Sequence, residues 1–310
     1  MSVPVEIPSA GWSEVLVRHA RRNRPAAVGL TAALAAVTAL LVGSTWELAT
    51  GGASDGLKLG ILGGLAGFAA TALGTVPALA LKTMPQKLSD VMLGGAAGMM
   101  LAASAFSLIL PGLAAGEEIT GSKGLGAAIV VFGMGLGVLL MLGLDAFTPH
   151  EHEAVGRQGA GSDRVGRIWL FVFAIALHNL PEGMAIGVGF SHADLGVGVP
   201  LTVAIALQDM PEGLAVALAL RGVGHAPGKA VAMGIATGLM EPIGAVLGVG
   251  LSGGLAIAYP TGLGLAAGAM LFVVSHEVIP ETHRNGHQTP ATVGLLAGFA
   301  LMMVLDTTLG

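Results

Sequence analysis

Two clusters of polar residues lie inside long apolar stretches of this sequence, and their side chains are of the types that bind metal ions or carry protons. They share the pattern polar-polar-apolar-Pro-Glu-Gly and recur 30 residues apart, as HNLPEG at 178–183 and QDMPEG at 208–213. Burying unpaired ionisable or amide groups in hydrocarbon costs on the order of several kcal/mol per group. We therefore interpret both clusters as parts of a functional site.

The helix period places the polar side chains of each cluster close to one another. At about 100° per residue, Glu182 falls between His178 and Asn179, and Pro181 is predicted to bend the helix there. The second cluster places its three polar residues in the same relation: Gln208, Asp209 and Glu212. A carboxylate with donors on both sides can bridge two cations, so we predict a metal site able to be binuclear. The alternative is a pair of proline-kinked helices held by interhelical hydrogen bonds.

A further carboxylate occurs in the next apolar stretch, where Glu241 precedes Pro242. We expect it at mid-helix in the same cavity, which would bring together four negative charges that two divalent cations would neutralise. Imidazole with carboxylates suits Zn(II), while Cd(II), Fe(II) and Mn(II) use the same donors. Met100 could add a thioether for a softer ion, although packing is the commoner role of methionine.

The composition sets the fold class. The chain has 310 residues, of which 54% are hydrophobic and 11% charged, and its mean hydropathy is +0.80, which indicates an all-α polytopic membrane protein. It contains no cysteine, which excludes disulfides, thiolate zinc sites and thiol redox chemistry. Nine apolar runs have about the length of a membrane span: 26–45, 58–81, 91–113, 124–146, 168–190, 200–220, 230–251, 260–279 and 291–309.

These runs divide the chain into three parts. Residues 1–25 form a basic segment expected in the cytoplasm, residues 26–57 an N-terminal helix with its linker, and residues 58–310 an eight-helix core. The competing interpretation of the first run is a cleaved signal peptide.

The distribution of basic residues predicts the orientation. With the N-terminus inside, twelve Lys and Arg residues fall on the cytoplasmic side and two, Lys58 and Lys123, fall outside, so the C-terminus is predicted to lie outside. The twelve are Arg18, Arg21, Arg22, Arg24, Lys82, Lys87, Arg157, Arg164, Arg167, Arg221, Lys229 and Arg284.

In this topology the two polar clusters lie on consecutive spans that cross in opposite directions. Matching sites on adjacent antiparallel helices are typical of inverted-repeat transporters. Small residues four positions apart predict close helix packing, and they include the pairs Gly94/Gly98, Gly133/Gly137, Gly244/Gly248 and Gly264/Gly268.

The two clusters, together with SHEVIPETH at 275–283, resemble the ZIP (Zrt/Irt-like) divalent metal transporters, in particular their GufA-like prokaryotic branch. The resemblance covers about 58–309. It implies an eight-helix core in a 3+2+3 arrangement with an inverted repeat, to which the first span is an addition. It also implies a binuclear centre between the fourth and fifth core helices, metal uptake into the cytoplasm by an elevator-like motion, and a homodimer in the cell membrane.

Carried over by position, the resemblance makes seven residues the ligands of the transport site: His178, Asn179, Glu182, Gln208, Asp209, Glu212 and Glu241. The sequence departs from many eukaryotic relatives at Gln208, where an imidazole is common. Asp145, His276 and Glu277 lie near cytoplasmic helix ends, as expected of a release path, although helix-end residues facing water are the alternative for Asp145. The tract His150–Glu153 is a reduced form of the histidine-rich loop of many relatives.

Other classes of protein are disfavoured by spacing. An intramembrane metalloprotease needs His-Glu-x-x-His, but Pro280 occupies the fourth position after His276, and no phosphate-binding glycine loop with its lysine occurs. We therefore predict a transporter that is not an enzyme, has no resident cofactor, binds no nucleic acid, and has metal ions, the lipid bilayer and a second copy as partners. The rival function is ion-coupled transport of a small organic solute, with the carboxylates as a proton relay.

Overall fold

The computed structural model describes residues 54–147, 150–152, 156–158, 167–252 and 256–309, with scattered positions between 17 and 52. Within these residues, eight helical segments are long and apolar enough to cross a membrane, which confirms the all-α polytopic fold class. In chain order, spans 1–8 are Asp55–Leu79, Gln86–Thr120, Lys123–Asp145, Phe171–Phe190, Leu195–Gly222, Pro227–Ser252, Ala258–His283 and Gln288–Leu309. The N-terminal run at 26–45 lies largely outside the described residues.

Several spans consist of more than one helix. The helices are α1 Asp55–Thr75, α2 Gln86–Ala103, α3 Leu110–Thr120, α4 Lys123–Phe147, α5 Arg167–Phe190, α6 Leu195–Gly222, α7 Pro227–Thr237, α8 Met240–Ser252, α9 Ala258–Val273, α10 Ile279–His283 and α11 Gln288–Leu309. Between α4 and α5, where the resemblance implied a reduced histidine-rich loop, a short antiparallel hairpin forms from β1 His150–His152 and β2 Gly156–Gln158.

Prolines mark the irregular points within the spans. A π-helical turn at Ser104–Ile109 joins α2 to α3, and another at Val274–Val278 joins α9 to α10. Each is followed by a proline in the first turn of the next helix, Pro111 or Pro280, where the missing N–H and the ring disturb the regular hydrogen-bond ladder.

Span 6 is broken in the middle, which corrects one prediction. Glu241 was expected at mid-helix, but α7 ends at Thr237 and Glu241 lies in the first turn of α8, with Pro242 beside it. Since Pro242 cannot donate a backbone hydrogen bond, it suits a helix start, where N–H groups have no intrahelical partner. The positive end of the α8 dipole therefore lies next to the Glu241 carboxylate.

The helix pairs follow the internal symmetry that a 3+2+3 arrangement predicts. In this symmetry, spans 1, 2, 3 and 4 are equivalent to spans 6, 7, 8 and 5. The contact between spans 1 and 5 is then equivalent to the contact between spans 6 and 4. The contact between spans 2 and 8 is equivalent to the contact between spans 7 and 3. All four pairs are extensive contacts. The two π-helical turns also lie on the equivalent spans 2 and 7.

Glycine pairs allow these helices to approach closely, as predicted. Along the α2–α11 and α4–α9 contacts, a Cβ added to any of these glycines would collide with a backbone carbonyl of the opposite helix: Gly94, Gly98, Gly294, Gly298, Gly133, Gly137, Gly264 and Gly268. The α5–α8 contact is built in the same way from Gly183, Gly187, Gly244 and Gly248. The same device is thus repeated on symmetry-related contacts.

We expect Gly133→Val to destabilise the protein, because its side chain would displace the carbonyl of Thr261 on α9. Overpacking of this kind costs about 1–3 kcal/mol, to be measured as a lower midpoint of thermal unfolding in detergent. The matched control is Gly135→Val, two residues along the same helix, because nothing lies within 4 Å of a Cβ added there. Equal midpoints for the two variants would contradict this account of the α4–α9 contact.

Candidate metal centre

Three helices bring the predicted ligands into the interior of one helix cluster. His178, Asn179 and Glu182 come from α5, and Glu241 comes from the first turn of α8. Gln208, Asp209 and Glu212 come from α6. Every one of the seven side chains is at most 3% exposed. Because α5 packs on α6 and on α8, and all three pack on α1, the seven residues face a common interior rather than lipid.

Gln208 forms a hydrogen bond with Glu182 of the first polar cluster. Its side-chain Nε2 donates a hydrogen bond of 2.5 Å to Oε1 of Glu182, which joins the two polar clusters across the α5–α6 contact. The amide thereby uses its donor on a carboxylate, while its carbonyl oxygen receives no hydrogen bond from the described residues. A carbonyl oxygen is the ligand atom of an amide, so Gln208 is suitably oriented to offer it to a cation.

The four carboxylates form one electrostatic group. Glu182 interacts with the charges of Glu212 and Glu241, and Asp209 interacts with all three of the others. Four like charges in one buried cluster are mutually unfavourable unless protons or cations lie among them.

Most oxygens of this group have no protein donor. Within the described residues, no N–H or O–H group donates to Oε2 of Glu182, to either carboxylate oxygen of Asp209 or Glu212, or to Oε2 of Glu241. Buried acceptors of this kind are costly when unsatisfied, and buried carboxylates are normally paired or bound to metal. The arrangement therefore fits a site that binds cations through oxygen and imidazole ligands.

Two residues of α1 belong to this site but were not predicted from the sequence. Thr71 donates a hydrogen bond of 2.5 Å from Oγ1 to Oε1 of Glu241. A Cβ added to Gly67 would lie 3.3 Å from Oδ2 of Asp209 and would collide with Oε2 of Glu241. Polar Thr71 in an apolar span was the available signal, but threonine commonly bonds to its own helix and carries little information alone.

A second group of predicted ligands lies near the ends of α4 and α9. Asp145 is in the last turn of α4, and His276 and Glu277 are in the π-helical turn that follows α9. Each offers one ligand atom, and the three atoms lie within 4.8 Å of one another; in the described part of the chain this is the only set of three imidazole or acidic groups so closely placed. The structure thus places close together the three residues that the sequence assigned to a release path.

A cavity connects the two groups. It measures about 60 Å³ and extends from His178 and Glu212 to Glu277, Glu281 and Arg284. A wider cavity of about 410 Å³ shares Glu281 and Arg284 with it and lies toward the end of the bundle where α6 ends and α10 leads into α11. The residues lining the two cavities therefore lead from the buried centre toward one side of the protein, and they include the charged side chains of Glu281 and Arg284.

The remaining predicted residues lie elsewhere. Met100 is fully buried in the main hydrophobic core with residues of α9 such as Leu263 and Met270, which fits a packing role. Its role as a ligand stays a prediction. Of the tract 150–153, residues 150–152 form β1, whereas Glu153 lies outside the described residues.

The fold and the buried site together define a multi-pass membrane transporter with an internal repeat and an intramembrane polar centre. Residues 148–306 match the ZIP zinc transporter family. The chain is 64% identical over 283 residues to the zinc transporter ZIPB of Bordetella bronchiseptica, covering 91% of this chain and 92% of that protein. It is 40% identical over 257 residues to the zinc transporter GufA of Myxococcus xanthus, covering 81% of this chain and 99% of that protein.

The similarity extends beyond bacteria. The human zinc transporter ZIP11 is 30% identical over 324 aligned positions, covering 77% of this chain and 94% of the human protein. The chain belongs to the ZIP family of metal-ion transporters, in its GufA-like prokaryotic branch. It is a transporter rather than an enzyme, as the sequence motifs predicted.

Proposed function

We propose that this protein imports divalent transition-metal ions, zinc foremost, into the cytoplasm through a binuclear mid-membrane site with alternating access. The observation that carries the proposal is the convergence of seven buried polar side chains from α5, α6 and α8, with most carboxylate oxygens lacking protein donors. The relatives named as zinc transporters support zinc as the principal ion. Cadmium, iron and manganese are further candidates because they use the same donors.

The chemistry of the site is exchange of ligands for water. A divalent ion entering hydrocarbon must replace its hydration shell, and His178, Asn179 and Gln208 offer neutral ligands while four carboxylates supply charge. Glu182 is proposed to bridge the two ions. Gln208 donates a hydrogen bond to only one of its carboxylate oxygens, and the other oxygen, which has no donor among the described residues, is available to a cation. Two divalent ions would neutralise the four carboxylates, which makes the loaded site electrically suited to the membrane interior.

The release path is proposed to lead through Asp145, His276 and Glu277. The cavity from His178 and Glu212 reaches Glu277, so an ion leaving the buried centre would next meet this closely spaced set. By the distribution of basic residues this end of the bundle faces the cytoplasm. The cavity then corresponds to an inward-open arrangement, and alternating access would require spans 1, 4, 5 and 6 to move relative to the other four.

The remaining expectations form part of the same proposal. The protein is placed in the cell membrane as a homodimer, with the N-terminus in the cytoplasm when the first span is retained and the C-terminus outside. Spans 3 and 8 are the least buried of the described spans, since the described residues bury only 28% and 17% of their most apolar 18-residue stretches. These faces are therefore available to lipid or to a second copy.

Uptake of radioactive zinc by proteoliposomes tests the proposed function. We expect saturable zinc uptake that is reduced by excess cadmium and unaffected by the sign of an imposed proton gradient. A transporter of an organic solute that uses these carboxylates as a proton relay would ignore zinc and respond to external pH. That result would favour the rival function.

The orientation on which the proposed direction of import depends can be determined in intact cells. The chain has no cysteine, so single cysteines introduced as Lys123→Cys and Lys229→Cys, both at exposed positions, report which side of each protein faces outward. An impermeant maleimide applied to intact cells is expected to label the Lys123→Cys variant but not the Lys229→Cys variant. The reverse pattern would contradict the proposed orientation and with it the direction of import.

A further inference from the structure

We propose that Thr71 is a specificity-determining positioning residue, which ties one oxygen of Glu241 to α1 and so leaves the other oxygen to bind a small divalent ion alone. This inference rests on the proposed function, because it assigns a role within the same metal centre. Thr71 itself is not proposed as a ligand. It acts through the carboxylate that it orients.

Most buried hydroxyls of the described helices bond within their own helix, but Thr71 does not. Thr75, Thr237 and Ser104 each donate to a carbonyl three or four residues earlier in their own helix, the usual arrangement for a hydroxyl in an apolar helix. Thr71 instead donates to Oε1 of Glu241 on α8, 170 residues away, at 2.5 Å. The hydroxyl proton of Thr71 is therefore used in a hydrogen bond to a residue of the candidate metal centre. Ser107 also donates to a carboxylate on another helix, that of Asp306, which is not one of the seven residues of the candidate metal centre.

The surroundings of Thr71 hold it in place. Its side chain is 1% exposed, and a Cβ added to Gly238 would lie 3.0 Å from Cβ of Thr71 and 3.2 Å from Oε1 of Glu241. Glycine at 238 therefore leaves just enough room for the pair. Because the hydroxyl and the carboxylate are both enclosed, the hydrogen bond fixes the rotation of the Glu241 carboxylate.

Because the rotation of the carboxylate is fixed, the two oxygens of Glu241 have different partners. Oε1 accepts the bond from Thr71, while Oε2 accepts none from the described residues and lies beside Gly67, as does Oδ2 of Asp209. An ion between Glu241 and Asp209 would therefore meet one oxygen from each. This is monodentate coordination, which suits a zinc ion with few ligands at about 2.0–2.2 Å.

Loss of the hydroxyl would change which ions the centre prefers. A carboxylate that is free to rotate can present both oxygens to one ion, and larger divalent ions with longer bonds accept bidentate carboxylates readily. Cadmium is such an ion. Removing the Thr71 hydroxyl should therefore weaken zinc binding while keeping or improving cadmium binding, so the ratio of the two affinities is the quantity that reports the role of Thr71.

Equilibrium dialysis of the purified full-length protein against zinc and against cadmium tests this inference. Thr71→Val keeps the shape of the side chain and removes the hydroxyl, whereas Thr71→Ser keeps the hydroxyl and removes the methyl group. We expect the zinc-to-cadmium affinity ratio to fall by about tenfold in Thr71→Val, the equivalent of one hydrogen bond to a charged group. Thr71→Ser should retain the ratio of the parent protein.

If Thr71→Val fails to fold, the pair Thr71→Ala and Thr71→Ser makes the same comparison, because both lack the methyl group and only serine keeps the donor. An unchanged ratio in the variant without the hydroxyl, or an equal fall in Thr71→Ser, would overturn the role of Thr71. Failure of the parent protein to bind either ion would instead contradict the proposed function. The two failures are therefore distinguishable.

Discussion

Glu182→Ala is expected to reduce zinc uptake by at least about a hundredfold, because it removes the proposed bridge between two ions. Replacing a residue that merely orients a metal ligand typically costs 10–100-fold in metal affinity or activity, and a bridging ligand should cost more. Glu182 is completely buried and bonded to Gln208, so no other carboxylate can take its place without repacking α5 against α6. Uptake by proteoliposomes and zinc binding in detergent are the two measurements.

The stability of the metal-free variant distinguishes a lost ligand from a lost fold. Glu182 is desolvated and repelled by Glu212 and Glu241, so Glu182→Gln, which keeps its shape, should unfold at the same or a higher temperature than the parent protein without metal. The added stability that zinc gives the parent protein should be absent from the variant. Glu118→Ala, at an exposed position, is the control and should transport normally. Normal zinc uptake and binding by Glu182→Ala would show that the site is wrongly assigned.

Gly67→Ala is expected to have the second largest effect, reducing zinc affinity by about tenfold or more while leaving the fold nearly as stable. The added methyl group would collide with Oε2 of Glu241, the end of a flexible side chain that can move away at little cost to packing. The displaced carboxylate would no longer meet Asp209, and misplacing a ligand group costs affinity on the scale of a lost hydrogen bond to a charged group. Zinc binding and thermal unfolding are measured on the same preparation.

Gly64→Ala, one turn earlier on α1, is the matched control with the opposite expectation. Its added methyl group would lie 2.8 Å from Cβ of Ala245 and 2.9 Å from Cα of Pro242, which are parts of α8 that cannot move independently. We expect this variant to lose about 1–3 kcal/mol of stability by overpacking and to keep more of its zinc affinity than Gly67→Ala. If both variants lose stability and affinity together, Gly67 serves packing alone.

The buried polar cluster proposed as a metal centre could be predicted largely from the sequence because its residues contrast with their surroundings. Polar side chains such as His178 and Asp209 are conspicuous in apolar stretches, and the 30-residue repeat indicated that the two clusters face each other. The paired glycines were equally visible, since small residues four apart lie on one helix face. These signals depend on residue type and helix period, both of which can be read from a single amino-acid sequence.

The parts that were missed depend on contacts between distant helices. Thr71 and Gly67 have the residue types of ordinary packing positions, and only the proximity of α1 to α8 reveals their roles. The break before Met240 also has a weak signal, since Pro242 allowed either a bend or a new helix start. Asp145 and His276 were assigned to one release path from the sequence, but their close proximity depends on the pairing of α4 with α9, which periodicity does not predict.

The central claim is that α5, α6 and α8 direct their polar side chains into one pocket that binds two divalent ions. Anomalous X-ray scattering from crystals of the full-length protein soaked in zinc tests it most directly. The account predicts two zinc peaks within bonding distance of the seven ligands, with Glu182 between them and with Oε2 of Glu241, not Oε1, directed at an ion. Zinc peaks confined to other positions, with none touching Glu182 or Glu212, would contradict it.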